Sequence, residues 1–269
     1  MNSGTPAASS HPDEASASPA PSNRLKLFCL PYAGGSANRV FHDWTPALTE
    51  HVELWPLELP GRGARMAESP CTSVEALVDD LLHAVLPALD GPYALFGHSL
   101  GAIVAFELAR RLEHAHHRPA VHLMVSGHEA PDVLSEPDRD HLLPDEEFRD
   151  RLSELAGTPQ EVLDNDDLME LVIPVLRADF AAANTYRLDS PWLRLSCPVT
   201  AFGGIEDPEA PPHTLRAWQH RSTGPFRLRL LPGNHFYLHS EQALLLQSIT
   251  EALAPVHEAE AVRLREKEA

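Results

Sequence analysis

Tyr93-Ala94-Leu95-Phe96-Gly97-His98-Ser99-Leu100-Gly101-Ala102-Ile103-Val104-Ala105-Phe106 decides how this chain is read. One apolar run enters Gly97-His98-Ser99-Leu100-Gly101 and a second leaves it. The first has the length of a buried strand, and the second continues as a helix. G-x-S-x-G between a strand and a helix is a nucleophile elbow. Its glycines let the chain turn where side chains would not fit beside the serine. The turn lifts the Ser99 hydroxyl off the sheet. It also brings the first N–H groups of the helix beside a reacting carbon, where a helix N-terminus favours negative charge.

Upstream, Leu25–Leu30 is an apolar strand that runs into Pro31-Tyr32-Ala33-Gly34-Gly35-Ser36. A glycine pair after a strand marks a sharp turn or a close backbone approach. With a serine nucleophile present, this loop supplies the second oxyanion donor. The backbone N–H of Leu100 is the first donor and that of Ala33 the second, with Tyr32 and Gly34 as alternatives. Val52–Leu59 is a further strand, and Pro56 within it predicts an edge position. It ends in Pro60-Gly61-Arg62-Gly63. Arg62 and Arg65 read as a solvated pair, or as contacts to a phosphate or acidic partner. Thr72-Ser73-Val74-Glu75 is a capping box. Val74, Leu77, Val78, Leu81, Leu82 and Val85 then recur at helical spacing.

Downstream, the elbow helix is expected to end near Leu112. His114, His116, His117 and Pro119 follow, read as a solvated loop rather than a metal site. Val121–Val125 is a strand ending at Ser126-Gly127. The alternation of strand and helix then stops. From about 128 to 192 only amphipathic helices are predicted, one at Asp145–Leu155 and one at Leu168–Tyr186. On the second, Leu171, Val172, Val175, Leu176, Phe180 and Ala183 are expected to form the apolar face. Inserted after a strand, these helices are expected to form a lid over Ser99. Leu195–Phe202 resumes the sheet and runs into Gly203-Gly204-Ile205-Glu206-Asp207-Pro208. Phe226–Leu231 runs into Pro232-Gly233-Asn234-His235-Phe236, and a helix follows at Ala243–Leu253.

A serine hydroxyl needs a base, and the base needs a group that fixes its tautomer. Reactive loops gather at the carboxyl ends of parallel strands. Ser99, Asp207 and His235 each lie just past such an end, in the chain order used by α/β-hydrolases. Ser99 is therefore the candidate nucleophile, His235 the base and acid, and Asp207 the orienting carboxylate. Glu206 is the alternative orienter, and His239 and His98 are rival bases. The fold class is α/β: a mostly parallel sheet flanked by helices, with a helical insertion.

The 269 residues suit one such domain, assigned to 23–254. Residues 1–22, rich in Ser, Pro and Ala, read as a disordered tail, and 255–269 as a charged, solvated tail, with a frayed helical stretch as the alternative. A formal net charge of −18 argues against nucleic acid. No apolar run reaches the roughly 18 residues of a membrane span. Cys29, Cys71 and Cys197 are scattered and odd in number, which points to reduced thiols and a cytoplasmic protein. No metal or other cofactor is expected.

Leu30-Pro-Tyr-Ala-Gly-Gly-Ser36, Trp44 and Pro46, Leu59-Pro-Gly-Arg62, Phe96-Gly-His-Ser-Leu-Gly101, Ser126-Gly127, Leu176-Arg-Ala-Asp-Phe180, Asp207-Pro208 and Gly233-Asn-His-Phe236 occur in that order. As a set they resemble the discrete type II thioesterases of polyketide and non-ribosomal peptide assembly lines. The resemblance covers about 25–250. It implies an α/β-hydrolase fold with a helical lid, and hydrolysis of acyl thioesters on the phosphopantetheine arm of a carrier protein acting in trans. Editing of stalled acyl groups is the implied role. Ser99, Asp207 and His235 fall on the family's triad. Arg177, Asp179 and Phe180 fall on its lid helix, implying contact with substrate. Asn184 and His128 depart from the family's usual acidic and basic residues at those places. An acidic carrier meeting this acidic chain would need a local basic patch, for which Arg62, Arg65, Arg110 and Arg111 are candidates.

Overall fold

The computed structural model describes residues 24–48, 52–133 and 139–268. The tail expected at 1–22 lies outside the described residues. Six strands form one sheet: β1 Leu25–Leu30, β2 Val52–Pro56, β3 Tyr93–His98, β4 His122–Ser126, β5 Val199–Gly204 and β6 Phe226–Leu231. All neighbours pair parallel, in the order β2-β1-β3-β4-β5-β6. Pro56 sits at the end of the edge strand β2, where a missing N–H costs the ladder little. β5 begins at Val199 rather than Leu195, which makes only an isolated parallel bridge to Ser222.

Nine helices are described: α1 Ala37–Val40, α2 Val74–Ala88, α3 Leu100–His116, α4 Asp145–Leu155, α5 Gln160–Leu163, α6 Asp166–Thr185, α7 Pro212–Arg216, α8 Tyr237–Ser240 and α9 Gln242–Glu268. Side chains alternate across the strands, so each strand feeds two cores. Phe28, Leu30, Leu95, Leu123 and Val125 pack with Leu77 and Leu81 of α2 and Val104 and Leu108 of α3. Leu27, Cys29, Phe96, Met124 and Phe202 face the other way, onto Trp44 and onto Leu245 and Ile249 of α9. Burial on both faces is why the inner strands read as unbroken apolar runs. Among the described residues no helix is long and apolar enough to cross a membrane.

The predicted apolar positions of α2 are all buried. Its cap is Ser73 rather than Thr72: Ser73 is extended and its side chain accepts from the Ala76 N–H at 3.2 Å. α3 runs past Leu112, so His114 and His116 occupy its last turn rather than a loop, and His117 closes it at φ 55°. α9 likewise runs through Pro255 to Glu268, so the charged stretch takes the helical alternative. The stretch after Pro255 is built of strong helix formers, and one lost N–H does not stop it.

Between β4 and β5 the described residues contain helices and no strand. α4, α5 and α6 close on a small core of Phe148, Leu152, Leu163, Met169 and Leu176. The predicted face of α6 packs inward apart from Leu171: Leu176 is buried, and Val172, Val175, Phe180 and Ala183 are half-buried. Leu168 and Leu171 are 40% and 70% exposed, whereas Met169, Leu176, Ala178, Asp179 and Ala182 are buried. The inward stripe also holds a carboxylate, Asp179, which the apolar pattern does not mark.

Candidate active site

Ser99 follows β3 and opens α3. Its backbone is left-handed, φ 55° and ψ −122°, an unfavourable conformation for a residue with a Cβ. Two hydrogen bonds hold it there, between close-packed glycines. The Ser99 N–H donates to the Ser126 carbonyl at 2.8 Å, and the Ser99 carbonyl accepts from Ala102 N–H at 2.8 Å. Both flanking glycines are packed against backbone. A Cβ on Gly97 would lie 2.0 Å from the Gly101 oxygen, and one on Gly101 would lie 2.4 Å from the Leu30 oxygen.

Asp207 leaves β5 and His235 leaves β6. His235 Nδ1 lies 2.9 Å from Asp207 Oδ2. The carboxylate only accepts, so Nδ1 carries the proton and the neutral ring keeps a lone pair on Nε2. Asp207 Oδ1 accepts from the Glu209 N–H at 2.9 Å, and its side chain is fully buried. Neither oxygen is free to turn away. Glu206, the alternative orienter, is exposed. His239 is bonded to the Tyr32 hydroxyl at 3.1 Å.

His98 ends β3 just before the elbow and does not line the cavity around Ser99. It is fully buried, with Nδ1 on Ser126 Oγ at 2.8 Å, and Ser126 Oγ in turn meets the Tyr237 hydroxyl. Burial holds the His98 ring well below the usual histidine range, with the neighbouring His235 adding to the shift. It is therefore neutral beside His235, their ring centroids 5.1 Å apart. His128 is pushed down by burial as well, and its Nδ1 meets the Glu129 carbonyl at 2.8 Å.

The glycine loop after β1 is a tight turn, with Gly35 N–H donating to the Tyr32 carbonyl at 2.9 Å and Gly34 at φ 75°. A positive φ at this third position is the type II pattern, which asks for glycine. The Gly34 N–H is already spent on Asp179 Oδ2 at 2.7 Å. That leaves Ala33 or Tyr32 as the loop's oxyanion donor, and both line the cavity.

This cavity, about 550 Å³, has Ser99, Leu100, His235, Tyr32 and Ala33 at one wall. Ile103, Leu152, Leu155, Leu176, Phe180 and Ala183 supply apolar lining, and Asp140, Arg151 and Glu209 supply polar lining. The helical segment touches the reactive wall in two places. A Cβ on Gly34 would lie 2.4 Å from Leu176 Cδ2, and one on Gly157 would lie 2.4 Å from Phe236 Cζ.

Of the three residues expected to contact substrate from α6, only Phe180 lines the cavity. Arg177 turns outward, donating to the His141 carbonyl at 2.9 Å and to Asp145 Oδ1 at 2.6 Å, and stacks 4.5 Å from the Phe148 ring. Asp179 is fully buried against Arg62 and Gly34. Of the candidate carrier arginines, Arg62 and Arg110 are buried, and all four are paired within the chain. Arg62 is 5% exposed on Asp179, and Arg110 is 6% exposed on Glu107 and Asp189. Arg65 pairs with Glu68 and Asp80, and Arg111 with Asp79. The sequence missed Arg151 and Gly157 as site residues, and carried no signal for either beyond its place in the helical segment.

The thioesterase domain family matches residues 25–253. Gramicidin S biosynthesis protein GrsT of Aneurinibacillus migulanus is 37% identical over 232 residues, 86% of this chain and 89% of GrsT. Thioesterase PikA5 of Streptomyces venezuelae is 42% identical over 237 residues, 87% of this chain and 83% of PikA5. The solved type II thioesterase BorB from the borrelidin biosynthetic cluster superposes with a TM-score of 0.78 at 38% identity, covering 86% of this chain and 93% of BorB. Likeness of this extent, in sequence and in fold, makes the chain a member of the thioesterase domain family, built on an α/β-hydrolase-like fold.

Proposed function

We propose that this thioesterase hydrolyses acyl thioesters carried on the phosphopantetheine arm of acyl or peptidyl carrier proteins, as an editing enzyme of a polyketide or non-ribosomal peptide line. One observation carries the reading: His235 pairs with Asp207, and it lines the same cavity as Ser99, each of the three lying past the end of a strand. The names of GrsT and BorB support a substrate held on a biosynthetic assembly line. The buried, thiol-raised Cys29 and Cys197 and the free Cys71 support a reducing compartment, the cytoplasm.

Ser99 Oγ bonds to the thioester carbon while His235 Nε2 takes its proton and Asp207 stabilises the resulting imidazolium. The carbonyl electron pair moves onto oxygen, where the Leu100 and Ala33 N–H groups receive it. The C–S bond then breaks, and His235 returns the proton to the leaving sulfur. Water, deprotonated by His235, attacks the acyl-serine carbon; the bond from that carbon to Ser99 Oγ breaks, His235 returns the proton to Ser99, and the acid leaves. The segment 128–192 acts as the lid that keeps other water out.

The test follows acetyl-, propionyl- and longer acyl-carrier protein by intact mass, with wild type, Ser99→Ala and a matched oxoester in parallel. Discharge by wild type and none by Ser99→Ala is expected. A carrier that stays loaded while the oxoester is cleaved would replace this reading with that of a small-molecule esterase.

A further inference from the structure

A buried ion pair reaches from the helical segment to the glycine loop, and the chemistry above makes no use of it. Asp179, on α6, is fully buried. Its two oxygens receive both terminal nitrogens of Arg62, with Arg62 Nη2 to Oδ1 at 2.8 Å, and Oδ2 also accepts the Gly34 N–H at 2.7 Å. Arg62 comes from the loop after β2 and is anchored on the Pro60 carbonyl through Nε at 3.3 Å and Nη2 at 3.1 Å. Glu58, on the same loop, accepts the Ala37 N–H at 2.8 Å and the Ser36 hydroxyl at 2.7 Å. The glycine loop is thus clamped at its far end by one chain segment and at its middle by α6.

We propose that Asp179 and Arg62 are positioning residues for the oxyanion loop, so that the hole is complete only while α6 is seated. The inference rests on the reading of Ser99 as nucleophile and Ala33 as donor. The Gly34 N–H belongs to the peptide that follows Ala33. In a tight turn this central peptide can flip between turn types, and a flip reverses its N–H. The bond to Asp179 selects one orientation and fixes the Ala33 backbone beside it. Arg62 is needed because a bare carboxylate this near the hole would repel the alkoxide that forms there. Removing Asp179 or Arg62 alone leaves a buried charge without its partner. Lifting α6 would carry Asp179 away and leave the loop free to turn. Chemistry then waits for the lid to close over the acyl group.

The experiment uses the full chain as Asp179→Ala, Asp179→Asn and the apolar double variant Arg62→Met/Asp179→Leu, which leaves no unpaired charge. Thermal melts identify the folded variants. On acyl-carrier protein the kcat of a folded variant is expected to fall about 100-fold, with KM within threefold, because the loss is confined to the transition state. Asp179→Asn keeps an acceptor for Gly34 and is expected to restore part of the loss. Hexyl trifluoromethyl ketone, to which Ser99 adds as a tetrahedral alkoxide, should bind in parallel about 100-fold more weakly, and hexyl methyl ketone should not change. A kcat within tenfold of wild type in the folded double variant overturns the proposal, as does a fall in kcat with unchanged affinity for the trifluoromethyl ketone. If Ser99→Ala still discharges the carrier, the reading beneath it has failed instead.

Discussion

Asp207 offers one oxygen to His235 and the other to its own chain at Glu209, and that division decides what a substitution there does. Asp207→Asn keeps the shape but lets the amide donate to Nδ1, which pushes the ring proton onto Nε2, where the lone pair is needed. A kcat lower by about 10³–10⁴ with a small change in KM is expected, and steady-state hydrolysis of an acyl-carrier substrate measures it. Gly101→Ala is expected to fail differently. Its new methyl would press into the Leu30 and Pro31 carbonyls, which belong to backbone and cannot give way. Loss of soluble, cooperatively melting protein is the outcome to look for, with a normal melt counting against it. These residues were legible because each of them stands at a strand end or beside the serine. The Arg62–Asp179 pair was not, since its members are separated by 117 positions and nothing local marks the partner. Arg62 looked like a surface cation, and Asp179 like a substrate contact, for the same reason: a lone charge is read as solvated until its counter-charge is known.

The helical segment is the element whose presence was readable and whose inward face was readable only in its apolar part. Its lack of strands and its two main helices follow from periodicity, but α5 is too short to register and α6 buries a carboxylate in its inward stripe. Its core is small, and Phe148 is the centre of it, edge-on to Phe180 at 5.4 Å. Phe148→Ala removes a fully buried ring, which costs roughly 3–5 kcal/mol in a well-packed core. That cost should fall on the segment rather than on the sheet, because Phe148 contacts neither of the two cores on the strands. Hydrogen exchange is expected to accelerate in α4 and α6 while β3 and β4 stay protected. Uniform acceleration would show instead that segment and sheet unfold together. Phe180 lines the cavity, so loss of its backing ring should also raise KM for longer acyl chains.

For the molecule as a whole, acid is the revealing variable. His98, His122 and His128 are all held neutral by burial, and His122, bonded to Thr200 Oγ1 at 2.9 Å and facing the Arg227 charge, is pushed down to about 4. At pH 7 folded and unfolded chains both leave these rings neutral, and the stability is whole. As the pH falls through the ordinary histidine value near 6.5, the unfolded chain takes up protons that these folded rings refuse, His122 until about 4. His122 alone then removes about 2 kcal/mol by pH 5. Urea midpoints between pH 7 and pH 5 should fall, and His122→Gln should flatten the fall; parallel curves would refute it. The doubly covered sheet was legible at this scale because apolar runs alternate with helical periods, whereas the continuation of α9 past Pro255 was hidden by a charged composition that suits both a tail and a helix. The two glycine seats carry a last consequence. Bare backbone at Gly34 and Gly157 lets the segment dock on the reactive wall, while the side chains that shape the chamber stand elsewhere on the same segment. Chain-length preference is then expected to be separable from bond-breaking only while Asp179 of the segment stays in place. A cassette spanning 139–187, transplanted from a relative and keeping Gly157, Leu176 and Asp179, should exchange the acyl ruler of this enzyme and leave its engine running.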